Sequence, residues 1–92
     1  MIVRWTRSAA DDLTHICDYT GERFGAAQAR RAAMSIYAAV DALKEMPLRG
    51  RAGRKRGTRE LTVGGLPFVL IYRAGKEAVE VVRILHGSRQ WP

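Results

Sequence analysis

Arg83, His86 and Arg89 stand close together in the run RILHGSRQWP that occupies positions 83–92. Arginines present forked donors that suit a phosphate, a carboxylate or a charge developing in a transition state. A histidine among them suits a general base. Together the three would fit attack on a phosphodiester. The same residues also have a plainer explanation: Arg83 paired with an acid, His86 filling a strand end, and Trp91 packing down as an anchor. The residue types alone weigh toward the plainer explanation.

Other reactive side chains are less organised. His15 and Cys17 lie two positions apart within a helical pattern, and residues so spaced do not face each other. His86 is far from both in sequence, so no metal-ligand set emerges. Cys17 falls on an apolar helical face and fits a small core residue. As the only cysteine it can form no internal disulfide, which fits a reducing compartment. Thr6 and Ser8 suit helix caps better than nucleophiles. The GGLP run (64–67) lacks the lysine and the helix that a phosphate-binding loop needs. No residue pattern calls for a cofactor.

A basic stretch, Leu48–Gly57 (LRGRAGRKRG), interrupts the chain. Its Arg49, Arg51, Arg54, Lys55 and Arg56 could contact phosphate. They could equally form a solvated loop that keeps the protein soluble. No aromatic residue interleaves them to stack on a base.

The elements that must position these residues are legible from periodicity. Ile2, Val3 and Trp5 read as a short strand. Ser8 with Asp11 reads as a capping box, and Asp11 and Asp12 suit the positive end of a helix. Leu13, Ile16, Cys17, Thr20 and Phe24 share a helical face, and Gly25 suits a C-cap. Ala29, Ala33, Ile36, Val40 and Leu43 define a second helix, stopped by Pro47. Three strands follow: Arg59–Val63, Leu66–Arg73 and Ala78–His86, the first two joined through Gly64-Gly65. Alternation puts Phe68, Leu70 and Tyr72 on one side of the middle strand and Val69, Ile71 and Arg73 on the other. For the last strand it offers two sets, Val79, Val81, Arg83 and Leu85 or Glu80, Val82, Ile84 and His86. The expected fold is α+β: an N-terminal strand, then an antiparallel two-helix hairpin packed on a small antiparallel sheet. A hairpin covers one sheet face, so Val69 and Ile71 should remain as an apolar strip edged by arginines, a protein-binding surface.

The 92 residues suit a single domain spanning 1–92. A formal net charge of +7 favours acidic partners. The start MIVRWTRSAADDL has neither the form of a signal peptide nor that of a membrane span, and no apolar run is long enough for a bilayer. A cytoplasmic protein without a membrane partner is expected.

Several runs together resemble the RelE/ParE superfamily, the toxin subunits of bacterial type II toxin–antitoxin systems. They are SAADDL (8–13), the helix closing at Met46-Pro47, GTREL (57–61), IYR (71–73) and VVRILHGSRQWP (81–92). Members similar to RelE cleave mRNA on the ribosome, whereas members similar to ParE poison DNA gyrase. A gapless placement on the RelE-like pattern puts Glu60 and Thr62 where two lysines are expected and Val69 where an arginine is expected. Arg89 matches a second arginine, and a tyrosine position falls beyond Pro92. The resemblance therefore implies the ParE-like branch, a gyrase inhibitor rather than an enzyme, with an acidic antitoxin as partner. It implies a target- or antitoxin-binding surface of Arg59, Val69, Ile71, Arg73, Arg83, His86, Arg89 and Trp91. The alternatives are an mRNA endoribonuclease using His86 and Arg89, with ribosome and mRNA as partners, and a non-toxic binding module.

Overall fold

The computed structural model describes all residues from Met1 to Pro92. Strand β1 (Ile2–Trp5) leads into helix α1 (Arg7–Phe24), helix α2 (Ala26–Glu45), and strands β2 (Arg51–Ala52), β3 (Arg59–Thr62), β4 (Phe68–Ala74) and β5 (Ala78–His86). The five strands form one sheet in the order β1-β5-β4-β3-β2. The expected helix hairpin and the three C-terminal strands are all present. Two features differ from the expectation. β1 joins the sheet in parallel beside β5, which makes the sheet mixed. A two-residue strand also forms inside the basic stretch and pairs antiparallel with β3.

The start of α1 departs from the expected capping box. Thr6, not Ser8, is the N-cap: its Oγ1 accepts from the Ala9 N–H at 3.0 Å and donates to the Val82 carbonyl at 2.8 Å. Thr6 wins because β1 delivers the chain directly to the helix, with the Thr6 N–H still bonded to the Val81 carbonyl. Gly25 alone separates the two helices. Its φ of 91° lies where side-chain-bearing residues are strained, so glycine makes this abrupt reversal possible. Gly21 beside Ala29 then lets α1 and α2 approach closely.

The main core lies between the hairpin and one sheet face. Ile16 of α1 and Ile36, Val40 and Leu43 of α2 meet Leu70 and Tyr72 of β4 and Val79, Val81 and Ile84 of β5. β5 follows neither of the two expected face sets along its whole length. Tyr72 pairs with Val81 but Ile71 pairs with Arg83, so Val82 is the extra residue of a bulge. The bulge resets the alternation. Val79 and Val81 point into the main core before it, and Ile84 does so after it, while Leu85 joins the opposite face.

Tyr72 ties the sheet to the segment leaving α2. Its buried hydroxyl donates to the Pro47 carbonyl and accepts from the Gly50 N–H, both at 2.8 Å. A Cβ at position 50 would lie 2.7 Å from that hydroxyl, so only glycine allows the approach. Tyr72→Phe keeps the ring but strands a buried N–H and a carbonyl. It should lower stability by about 2 kcal/mol, seen as a fall in the urea midpoint at constant m.

Candidate functional site

The face of the sheet away from the helices is not the open strip that alternation led us to expect. Val69 is 8% exposed and Ile71 1%, because Trp91 and Val82 pack over them together with Leu85. The chain after β5 turns back at Gly87, whose N–H donates to the Pro67 carbonyl at 2.9 Å, and the Arg89 N–H donates to the His86 carbonyl at 2.9 Å. That double turn delivers Trp91 onto the strip. Trp91→Ala would uncover Val69, Ile71 and Leu85, a loss of about 2 kcal/mol by buried apolar area. It should raise binding of a dye that reports exposed apolar surface without removing the helical circular dichroism signal.

The basic stretch packs against this closed face. Glu60 stands on β3 opposite both Arg51 and Ile71 and is 3% exposed. Its carboxylate accepts from the Arg54 N–H at 2.9 Å, and lies 3.3 Å from Arg51 Nη2 and 3.3 Å from Arg54 Nε. Burial pushes this carboxyl up. The hydrogen bond from the Arg54 N–H, with the bonds and charges of Arg51 and Arg54, outweighs burial and holds the carboxyl below its ordinary value. Arg54 also donates through Nη1 to the Arg89 carbonyl at 3.0 Å, and the Lys55 ammonium lies 5.9 Å from the Trp91 ring centroid. The stretch expected to be a loop is thus a short hairpin, pinned by one buried acid and linked to the C-terminal turn. The sequence contained a signal for this. Glu60 is the single acid in a run that holds six cations.

The remaining residues expected at the site divide into pinned and free. Arg83 is pinned: Nε and Nη2 donate to Asp12 at 2.7 and 2.9 Å. The bonds to Asp12 raise its already high pKa. Asp12 Oδ2, which accepts from Arg83 Nε, also accepts from the Ile84 N–H at 2.9 Å, so Asp12 satisfies the β5 edge where β1 no longer pairs with it. Asp12 serves this contact, not the helix start for which its position seemed suited. Arg59 donates to the Gly50 and Leu48 carbonyls at 2.8 and 3.3 Å and is likewise committed. Arg73 meets Glu80 at 3.5 Å in an exposed pair that contributes little. Arg89 and His86 are exposed. The His86 Nδ1 accepts from the Ser88 N–H at 3.1 Å and lies 2.7 Å from Ser88 Oγ, which fixes the ring's orientation. Ser88, Asp12 and Glu60 are the residues that sequence reasoning left without these roles.

On the helix side, His86 instead borders an apolar cleft of about 460 Å³. The cleft lies between α1, the start of α2 and the β3–β4 turn, and includes Tyr19, Phe24, Leu66 and Phe68. The Phe68 ring meets His86 edge-on at 6.1 Å. Phe24, expected on the packed face of α1, is 70% exposed at the cleft rim because the chain reverses immediately after it. His86 and Arg89 therefore share a chain segment but serve opposite faces of the sheet: His86 lies with Phe68 in the cleft, and Arg89 lies beside the basic hairpin.

This architecture, a helix hairpin on a five-stranded mixed sheet, is that of the RelE/ParE superfamily of toxins. The sequence model described as ParE toxin of type II toxin–antitoxin system, parDE, matches residues 3–91, and the chain belongs to that family. It is similar to toxin RelE2 of Caulobacter vibrioides, with 41% identity over 87 residues, covering 95% of this chain and 96% of that one. It is similar to Y4kP of Sinorhizobium fredii, with 39% identity over 90 residues, covering 98% and 92%. The chromosomal ParDE toxin–antitoxin system of P. aeruginosa contains a chain that superposes with a TM-score of 0.86 at 31% identity, over 94% of this chain and 95% of that one. The protein is a toxin of the type II toxin–antitoxin class.

Proposed function

We propose that this toxin stops growth by binding DNA gyrase rather than by cutting RNA, and that an acidic antitoxin neutralises it. The buried carboxylate of Glu60 carries this reading. On the RelE-like pattern that position belongs to a lysine. Here it bears an acid held in its charged form, with Arg51 and Arg54 already committed to it. A scissile phosphate placed there would meet a negative charge whose two nearest cations are already committed to it, the reverse of what an anionic transition state needs. The neighbouring arginine position holds Val69, sealed under Trp91. Of the two candidate catalytic residues, His86 packs with Phe68 at the helix-side cleft, whereas the backbone of Arg89 is tied to the basic hairpin. Purified toxin should block supercoiling by gyrase and leave ribosome-bound mRNA intact. Cleavage of mRNA without an effect on gyrase would overturn the proposal in favour of the ribonuclease. Induced expression without a growth defect would favour a non-toxic binding module.

For the antitoxin, the apolar cleft is the surface best suited to side chains from a helix or extended segment. Tyr19 and Phe24 stand half and more exposed at its rim, in a position to be buried by a partner. Phe24→Ala should weaken antitoxin binding at least tenfold by calorimetry while leaving the melting temperature of the free toxin unchanged. Net positive charge would speed the encounter with an acidic chain.

A further inference from the structure

The charge of this protein is concentrated in one place. The segment Leu48–Thr62 together with Arg89 holds seven of the sixteen cations and one of the nine acids, and so accounts for +6 of the net +7. Six of the other acids lie on α1 and α2, Glu77 lies in the β4–β5 turn and Glu80 lies on β5. The fold brings the seven cations to one side. β2 and β3 form the hairpin, and the Arg54 bond to the Arg89 carbonyl draws the C-terminal turn against it. The single acid, Glu60, is buried beneath and occupied by Arg51 and Arg54. Arg49, Lys55, Arg56 and Arg89 are exposed and form no ion pair.

We infer that this hairpin and the adjoining turn form a second binding surface, one that grips the phosphate backbone of duplex DNA. Three observations favour that occupant. First, the hairpin tip is preorganised. The Gly53 N–H donates to the Thr58 carbonyl at 2.8 Å, Thr58 donates twice to the Lys55 carbonyl, and the Arg54 N–H is held by Glu60. Little order remains to be imposed when Lys55 and Arg56 meet a ligand. Second, the patch offers mostly charge, since Ala52, Gly53 and Gly57 separate the cations of the hairpin and Leu48 at its start is the one exposed large apolar residue. A protein partner would find only that leucine as an anchor there, whereas phosphates need only cations to displace their counterions. Third, single-stranded nucleic acid is held by stacking on aromatic rings, and Trp91, the nearest one, already packs on Val69 and Ile71. A duplex, whose bases are already stacked, makes no such demand. The surface stands apart from the helix-side cleft, so an antitoxin seated in the cleft need not displace it. It binds phosphate without cleaving, because no general base stands among its cations. The inference rests on the distribution of charge and does not depend on gyrase being the target.

The test is fluorescence anisotropy of a short labelled duplex titrated with purified toxin between about 50 and 200 mM salt, where counterion release makes affinity fall steeply. Replacing Lys55, Arg56 and Arg89 together by glutamine should weaken binding more than tenfold and flatten the plot of log K against log salt by about 3, one for each cation removed. Arg56→Gln with Arg89→Gln leaves Lys55 over Trp91 and should flatten it by about 2. A control with the same loss of charge, Arg7→Gln, Arg30→Gln and Lys76→Gln, should bind nearly as the parent does. Equal losses in the control and in the hairpin variant would mean net charge alone and would overturn the inference. So would the absence of duplex binding, tighter binding of the corresponding single strand, or binding of polyglutamate in place of DNA. Gyrase inhibition measured on the same variants is a separate readout, and its failure would leave the anisotropy result standing.

Discussion

Replacing Asp12 by alanine should lower the thermal unfolding midpoint by on the order of 15 °C, because about 3 kcal/mol is lost from a domain in which each kcal/mol moves the midpoint by several degrees. Three donors converge on this one carboxylate: two from Arg83 and one from the Ile84 backbone. Alanine removes all three bonds at once and leaves a partly buried guanidinium without its counter-charge. It also releases the edge of β5 at the point where β1 has ended. Asp12→Asn should fall between the two, since it keeps an acceptor for Ile84 while losing the charge. Arg83→Ala and the double variant close a cycle, and the coupling should be large because the partners share a bidentate contact. The measurement is calorimetric or by circular dichroism. A drop in the midpoint of only a few degrees for Asp12→Ala would show that the contact is dispensable.

Glu60 should give the fold a specific sensitivity to acid. Its carboxyl is held below the ordinary value in the folded state by Arg54 and Arg51, against the upward push of burial. A group depressed on folding stabilises the protein at pH values above its unfolded pKa, about 4.3 for glutamate, and loses that contribution as pH falls through the folded value. Stability contributed by Glu60 should therefore be constant near neutral pH and decline below about pH 4. Glu60→Gln should destabilise the protein at pH 7, and the gap between variant and parent should close as the pH falls. Glu60→Ala should be worse at pH 7, by about 3 kcal/mol, because Arg51, Arg54 and a backbone N–H lose their shared acceptor. Urea unfolding of parent and variants across the acid range tests both. A gap that stays constant with pH would show that the carboxylate charge is not what holds the hairpin.

The elements were legible where one period dominated. Ile36, Val40 and Leu43 fall on a single helical stripe, and all three are buried where periodicity put them. Ala78–His86 was readable as a strand with its observed bounds. Its faces were not, because a bulge is a decision made between two strands, and alternation within one strand carries no trace of it. The partnership of β1 with β5 was hidden for a similar reason. It joins residues 2–5 to residues 78–81, and a parallel pair leaves no turn in the sequence. At the site, charge and residue type pointed to the right segments but not to their use. Arg83 and Arg59 look like ligand-binding arginines in the sequence, yet each is committed to a partner distant along the chain or to backbone carbonyls. Val69 and Ile71 alternate correctly onto the second face. What closes that face, Trp91, lies beyond the last strand, where no periodicity operates. Among Arg59, Arg73, Arg83 and Arg89, the last alone stands both exposed and without an acidic or carbonyl partner for its side chain.

The bulge at Val82 has a consequence for the genetics of this toxin. It makes β5 behave like a reading frame in three dimensions. Val79 and Val81 are in phase with the main core upstream of it, and Ile84 is in phase only because one residue is spare. Loss of the Val82 codon alone would restore plain alternation. Loss of the Ile84 codon would instead empty a core position and slide Leu85 out of its place, whereas after loss of the Val82 codon Arg83 follows Val81 directly and Arg83, Ile84 and Leu85 keep their present partners on β4. Conservative substitution at the same codon changes only a half-buried side chain. In a population selected for survival of toxin expression, loss of the Ile84 codon should therefore be strongly enriched over loss or conservative substitution of Val82.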